Sequence, residues 1–394
     1  MELDLITNNT VFVLGAGASW HYGYPTGEAL VEDVVKMSRL FESYCRNRCS
    51  ESLSGAALQA VPEYVSEKID RSWGLKSALQ GWEAAANESM SLAERLETVR
   101  PLLIDHFLAW NESLRPIGKL MIAAVLLECE ASWLHSRRNK NRSKDDKSKD
   151  DWYRFITHKI VYNCERSSDI FNNNVKFITF NYDTSLEYVL YNSISSMDLF
   201  TAEDVSKFLS EDRIVHVYGA VDSDFAKNAA SNELGLSARL SDPYGNTLNH
   251  QPQIQSLIDR CYTSAKRLRT VDPHDKEEDA AALQTAKKWI EDAGVVYILG
   301  YGFDDSNNAR IGLTNLRHDK RDVAVMFTNY GNLNVINKKA SKLFFGQPTS
   351  FLEGYTCGNM LQGFYAEKSI RNVYDALSTD FDALENELTA STRI

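Results

Sequence analysis

The sequence has no CxxC pair, no HExxH and no GxxxxGK[ST] among its 394 residues. Zinc ribbons and zinc proteases draw their ligands at the first two spacings, and P-loop nucleotide hydrolases wrap phosphates with the third, so those classes lose their main support and no metal is expected. The six cysteines (Cys45, Cys49, Cys129, Cys164, Cys261 and Cys357) are scattered. They read as free thiols of a reducing compartment, and Cys45 with Cys49 has no second pair to complete a ligand set. Long apolar runs are missing too. The run Leu120–Leu127 is followed by Glu128 and Glu130, far short of the ~20 residues that a membrane span needs. Met1-Glu-Leu-Asp4 has neither the basic nor the apolar part of a secretion signal; a cytoplasmic location without membrane contact is expected. Positive charge is in deficit. Against 54 Asp and Glu stand 43 Lys and Arg, a net charge of −11, which disfavours non-specific binding of DNA or anionic lipid by the bulk surface.

What is present is an ordinary globular composition, 43% hydrophobic and 25% charged, in a chain long enough for about two or three domains, or one with large insertions. Five short apolar runs each end in Gly, Asn or Asp. Val11–Leu14 enters Gly15-Ala-Gly-Ala-Ser19, and Phe177–Phe180 enters Asn181-Tyr-Asp183. Ile214–Tyr218 enters Gly219, Gly294–Leu299 enters Gly300-Tyr-Gly302, and Ala324–Thr328 ends at Asn329. Runs of this kind, separated by helical patterns, predict an α/β fold: a Rossmann-like, doubly wound parallel sheet with ligand-binding loops at the carboxyl ends of its strands. The core is expected in 1–30, 165–221 and 294–331. Residues 31–164 form a helical insertion with a charged loop at 137–151, 222–293 a second, mostly helical insertion, and 332–394 a helical tail. In the first insertion Leu102, Leu103, Phe107 and Trp110 are expected on one helix face. Phe107, Trp110 and Trp133 exceed what a small core obviously uses, which predicts self-assembly.

The strand-end residues carry the chemistry. Gly15-Ala-Gly17 lies between a strand and a helix, where backbone N–H groups can meet a phosphate or the chain can simply turn tightly. Asn181 both donates and accepts hydrogen bonds. Asp183 accepts them, or caps the helix that begins at Thr184. His216 can act as a base near neutral pH, and strand alternation puts it on the same side as Tyr218. Asp305 and Asn308, after the glycines of the fourth strand, suit ribose hydroxyls; Thr328 and Asn329 form a polar pair at the fifth strand end.

Taken in this order the segments resemble the sirtuin-like (silent-information-regulator-like) NAD-binding fold. Gly-Ala-Gly-Ala-Ser19 with Gly23-Tyr-Pro25 is similar to the family's GAGxS…GxP segment, and Thr179-Phe-Asn181-Tyr-Asp183 to its TxNxD motif. His216–Gly219 is similar to its catalytic histidine–glycine segment, Gly300-Tyr-Gly302 to its ribose-contacting glycines, and Asn329 to its adenosine-side asparagine. Three features depart from the protein-deacylating members. Thr26-Gly-Glu28 replaces an arginine, the zinc ribbon is missing, and Tyr218 occupies the slot before the glycine where most relatives have histidine. The chain thereby resembles the zinc-free, NAD-hydrolysing effectors of bacterial anti-phage defence, most of all the subunit that assembles with a HerA-type ATPase.

The resemblance implies hydrolysis of NAD to nicotinamide and ADP-ribose, with NAD as substrate and no metal. Asn181, Asp183 and His216 would be catalytic: Asp183 on the nicotinamide carboxamide, Asn181 on ribose or the attacking water, His216 taking a proton. Gly15, Ala16 and Ser19 would hold the pyrophosphate, and Asp305, Asn308 and Asn329 the adenosine side. Gly17, Pro25, Tyr218, Gly219, Gly300 and Gly302 complete the NAD-binding set. The expected partners are a HerA-type ATPase and further copies of the chain, up to a large ring, with DNA met only through the partner. Two alternatives are a module that senses NAD or ADP-ribose without turnover, favoured by Tyr218, and a nuclease-like subunit of the same complex.

Overall fold

A computed structural model describes residues 8–53, 61–69, 76–138, 151–210, 213–221, 251–270, 280–318, 323–329 and 334–345. Five parallel strands form one sheet in the order β3-β2-β1-β4-β5: β1 Thr10–Leu14, β2 Val175–Thr179, β3 Ile214–His216, β4 Val295–Leu299 and β5 Ala324–Phe327. The central strands are continuous apolar runs because both faces of a parallel sheet are covered; every residue of β1 and β4 is buried. Register aligns Phe12 with Phe177 on one side and Tyr297 on the other. Their rings stack at 5.2 and 5.0 Å, and Trp152 lies over Phe12 at 6.5 Å. Burying side chains of this size contributes about 1.5–3 kcal/mol each, so this aromatic row fixes the register of the three central strands.

The helices are α1 Gly27–Leu53, α2 Glu63–Ser66, α3 Lys76–Val99, α4 Ile104–Trp110, α5 Arg115–Arg138, α6 Trp152–Val161, α7 Ser185–Ser195, α8 Ala202–Phe208, α9 Gln251–Arg267, α10 Ala280–Asp292, α11 Asp305–Arg310 and α12 Asn334–Phe345. Helix α1 packs on α3 and α5, and α5 on α9, so the two insertions meet. No helix of the described residues is long and apolar enough to cross a membrane.

The architecture is thus α/β with an all-parallel sheet, as the apolar runs predict. Two details differ. Strand β3 stops at His216, and Tyr218 lies in a turn, so strand alternation does not reach it. In α4 the buried side is Ile104, Phe107 and Leu108, whereas Trp110 and, before the helix, Leu102 are exposed. The predicted helical pattern near 367–388, most of the charged loop at 137–151 and much of the second insertion lie outside the described residues, as does the side chain of Trp133.

Candidate active site at the carboxyl ends of the strands

From β1 the chain runs outward to β2 and β3, then returns to β4 and β5 on the other side of β1. The strand order reverses between β1 and β4, the place where open parallel sheets bind ligands at their carboxyl ends. Here the loops after β1 and β4 touch. Gly15 N–H donates to the Leu299 carbonyl at 3.0 Å and Gly17 N–H to the Gly300 carbonyl at 2.9 Å. A Cβ on Gly300 would stand 2.1 Å from the Ala18 nitrogen, and one on Gly17 2.9 Å from the Gly300 Cα. These glycines are therefore required by backbone packed on backbone, and the amides of Gly15 and Gly17 are already spent on it. No hydrogen bond engages the Ala16 amide among the described residues. Gly302 is exposed, and a Cβ there would meet nothing within 4 Å.

The turn after β2 supplies the polar centre. Asn181 Nδ2 donates to Ser19 Oγ at 3.2 Å, and Ser19 Oγ donates to Asp183 Oδ2 at 2.9 Å. The other oxygen, Oδ1, accepts from the Ser185 amide at 3.2 Å and from the Ser185 hydroxyl, which is itself 2.6 Å from the Tyr153 hydroxyl. Since Ser185 spends its proton on Asp183, Tyr153 is the donor in that last contact. Asp183, one residue before the Thr184 N-cap, thus receives the first amide of α7 with one oxygen and holds Ser19 with the other. Burial pushes the Asp183 carboxyl above the usual carboxylate range, against the hydrogen bonds from Ser185 and Ser19. Asn181 is half-buried, and its Oδ1 has no hydrogen bond to the described residues.

Around this centre, His216 contacts the Asn181 carbonyl and the buried carboxylate of Glu187. Tyr218 is buried, its hydroxyl bonded to Asn307 Oδ1. Gly219 has φ +74, and a Cβ on it would lie 2.0 Å from the Arg267 carbonyl. Arg269 N–H donates to the Tyr218 carbonyl at 2.8 Å. The end of α9 is therefore clamped on the β3 turn, which accounts for this glycine without a ligand. Thr328 Oγ1 accepts from the Gly300 amide at 2.8 Å.

The candidates for the adenosine side divide. Among the described residues Asn308 Oδ1 and the Tyr301 hydroxyl are buried and unpartnered, and neither atom reaches the surface. Asp305 is 81% exposed and 4.0 Å from Lys342; Asp304, not Asp305, caps α11. Asn329 is buried and donates to Asn337 at 2.6 Å. Pro25 is half-buried in the loop that leads to α1.

Ser19, Asn181, Asp183 and His216 are thus brought into one network, while Asp305 stands apart in solvent. Sequence reasoning missed Glu187, Tyr153, Ser185 and Asn307. Only Glu187 carried a signal: Thr184-Ser-Leu-Glu187 has capping-box spacing, yet the carboxylate turns to His216. Among the described residues no three His, Cys, Asp or Glu side chains are grouped to hold a metal ion. Compared with protein-family models, curated proteins and solved structures, the chain matches none.

Proposed function

We propose that the chain binds NAD across the strand ends and hydrolyses its nicotinamide–ribose bond, as a sirtuin-like effector. The observation that carries this is the convergence of Ser19, Asn181 and Asp183, from two different strands, on one hydrogen-bonded network beside the sheet's reversal point. Cleavage develops positive charge on the ribose and demands a fixed sugar, a held leaving group and one placed water. Asn181, half-buried with a free Oδ1, is suited to orient the ribose or the water. Asp183, immobilised by Ser19 and Ser185, is suited to fix its surroundings and the carboxamide. The Ala16 amide, unbonded among the described residues, and the open space at Gly302 suit a pyrophosphate. The proposal extends, on the sequence resemblance alone, to a defence role under a HerA-type ATPase and to assembly with further copies of the chain.

Asn181→Ala tests the reading. Nicotinamide release, with and without the partner, is expected to fall on the order of a hundredfold or more while NAD affinity by calorimetry holds, because the amide acts mainly as the bond breaks. Unchanged release would remove the active-site assignment. A second reading, NAD or ADP-ribose sensing without turnover, is favoured by one observation: both ring nitrogens of His216 are engaged by protein groups. Binding without nicotinamide release under all conditions would select it.

A further inference from the structure

His216 sits between two oxygen groups. Nδ1 lies 3.0 Å from the main-chain carbonyl of Asn181. A carbonyl only accepts, so Nδ1 carries a hydrogen. Nε2 lies against the Glu187 carboxylate as both hydrogen bond and ion pair. With Nδ1 protonated, Nε2 either donates to ionised Glu187 from an imidazolium, or accepts from a protonated Glu187. In neither state does the ring keep a lone pair for a substrate hydroxyl or a water. Taking a proton would first require breaking one of the two contacts.

We infer that Glu187 and His216 act together as positioning residues that lock the turn presenting Asn181, and that His216 is not the proton acceptor. The inference rests on the reading of Asn181 as the group that acts on ribose or water. Asn181 is gripped at three points. Its amide donates to Thr179 Oγ1 at 3.0 Å, its side chain donates to Ser19, and its carbonyl accepts from His216. The third grip is the one that comes from β3, where His216 stands in register with Thr179. Glu187 lies in the first turn of α7, on the far side of the same turn. Buried carboxylates are costly without a partner, and His216 supplies it. The charged side chains that face His216 are Glu187 from α7 and Asp183 from the turn after β2. Burial disfavours the imidazolium. The charge and hydrogen bond of Glu187, then the Asn181 carbonyl and Asp183, outweigh it and hold the pKa above the ordinary histidine value.

The full chain with 15N-labelled histidine provides the test, and loss of a signal in His216→Gln assigns the ring. Nδ1 of His216 is expected to stay protonated, the ring to titrate above an ordinary histidine, and the Asn181 carbonyl 13C signal to follow that titration. Glu187→Gln is expected to lower that titration. It should also reduce kcat on the order of tenfold with little change in NAD affinity, as for loss of alignment rather than of binding. Were His216 the base, Glu187→Gln would free a neutral imidazole, keep or raise kcat near neutral pH, and move the acid limb of the pH profile downward. That result, or a wild-type His216 with an unprotonated, solvent-facing Nε2, overturns the inference. If the wild-type chain releases no nicotinamide, hydrolysis fails as a reading while the spectra still decide the positioning. A carbonyl signal coupled to the ring supports it, and one blind to the ring's titration overturns it.

Discussion

At the scale of single residues, glycines in neighbouring loops do different work. Gly300 has φ +58, and any Cβ there collides with the Ala18 nitrogen. Gly300→Ala therefore combines left-handed strain with backbone overlap and is expected to cost about 2 kcal/mol or more, read as a lowered thermal midpoint. Gly302→Leu, placed in open space, should leave the midpoint within a degree or two while weakening NAD binding at least tenfold by calorimetry. A Gly302→Leu variant that folds and binds NAD normally would move the ligand away from this loop. These contrasts were not legible in the sequence. Gly15, Gly17, Gly300 and Gly302 look alike as letters after apolar runs, and their roles separate only when the β1 and β4 loops, far apart in the sequence, are brought together. Asn181 and Asp183 were legible, because a strand end followed by short polar side chains is a local pattern. Glu187 and Tyr153 were not: each sits inside a helical stretch whose spacing gives no hint that it faces a strand end.

At the scale of elements, the apolar runs located all five strands to within two residues, because burial on both faces leaves β1, β2 and β4 little room for polar residues. Strand β3 is the exception. Its apolar pattern continues through Tyr218, but pairing stops at His216, where the chain turns to receive the end of α9. The His216–Glu187 contact then ties β3 to α7, with a consequence for stability. A histidine whose pKa is raised by folding binds its proton more tightly in the folded state. Its contribution is complete below the unfolded value of about 6.5 and is lost as pH rises through the folded value. The stability advantage of the wild type over Glu187→Gln/His216→Gln is therefore expected to be larger at pH 6 than at pH 9, measured as urea midpoints. An equal gap at both pH values would mean that the pair is not held as an ion pair.

At the scale of the whole molecule, the insertions brace the site as well as cover the sheet. Tyr182, between Asn181 and Asp183, donates its single proton among Asp105 of α4 and the Arg269 carbonyl beyond α9, so one side chain meets both insertions. What the first insertion leaves uncovered lies at the end of α3, in the connection after it and at the end of α4. Leu102 and Trp110 are each 78% exposed and Val99 58%. The Arg95–Asn111 bond at 3.1 Å joins the last turns of α3, which end at Val99, to the residue that follows Trp110. Phe107 is not among the exposed side chains, being in the core. Large apolar side chains exposed on a surface are costly in water and gain by pairing with the same surface of a second copy, the isologous contact that a two-fold axis generates. Light scattering at micromolar concentration is expected to give a mass above the 44.6 kDa of one chain, and Leu102→Ser/Trp110→Ser to shift it towards that value with the thermal midpoint nearly unchanged, since neither side chain is packed inside. A wild type that scatters as a monomer would refute self-association, and a double variant with undiminished mass would place the contact elsewhere on the molecule.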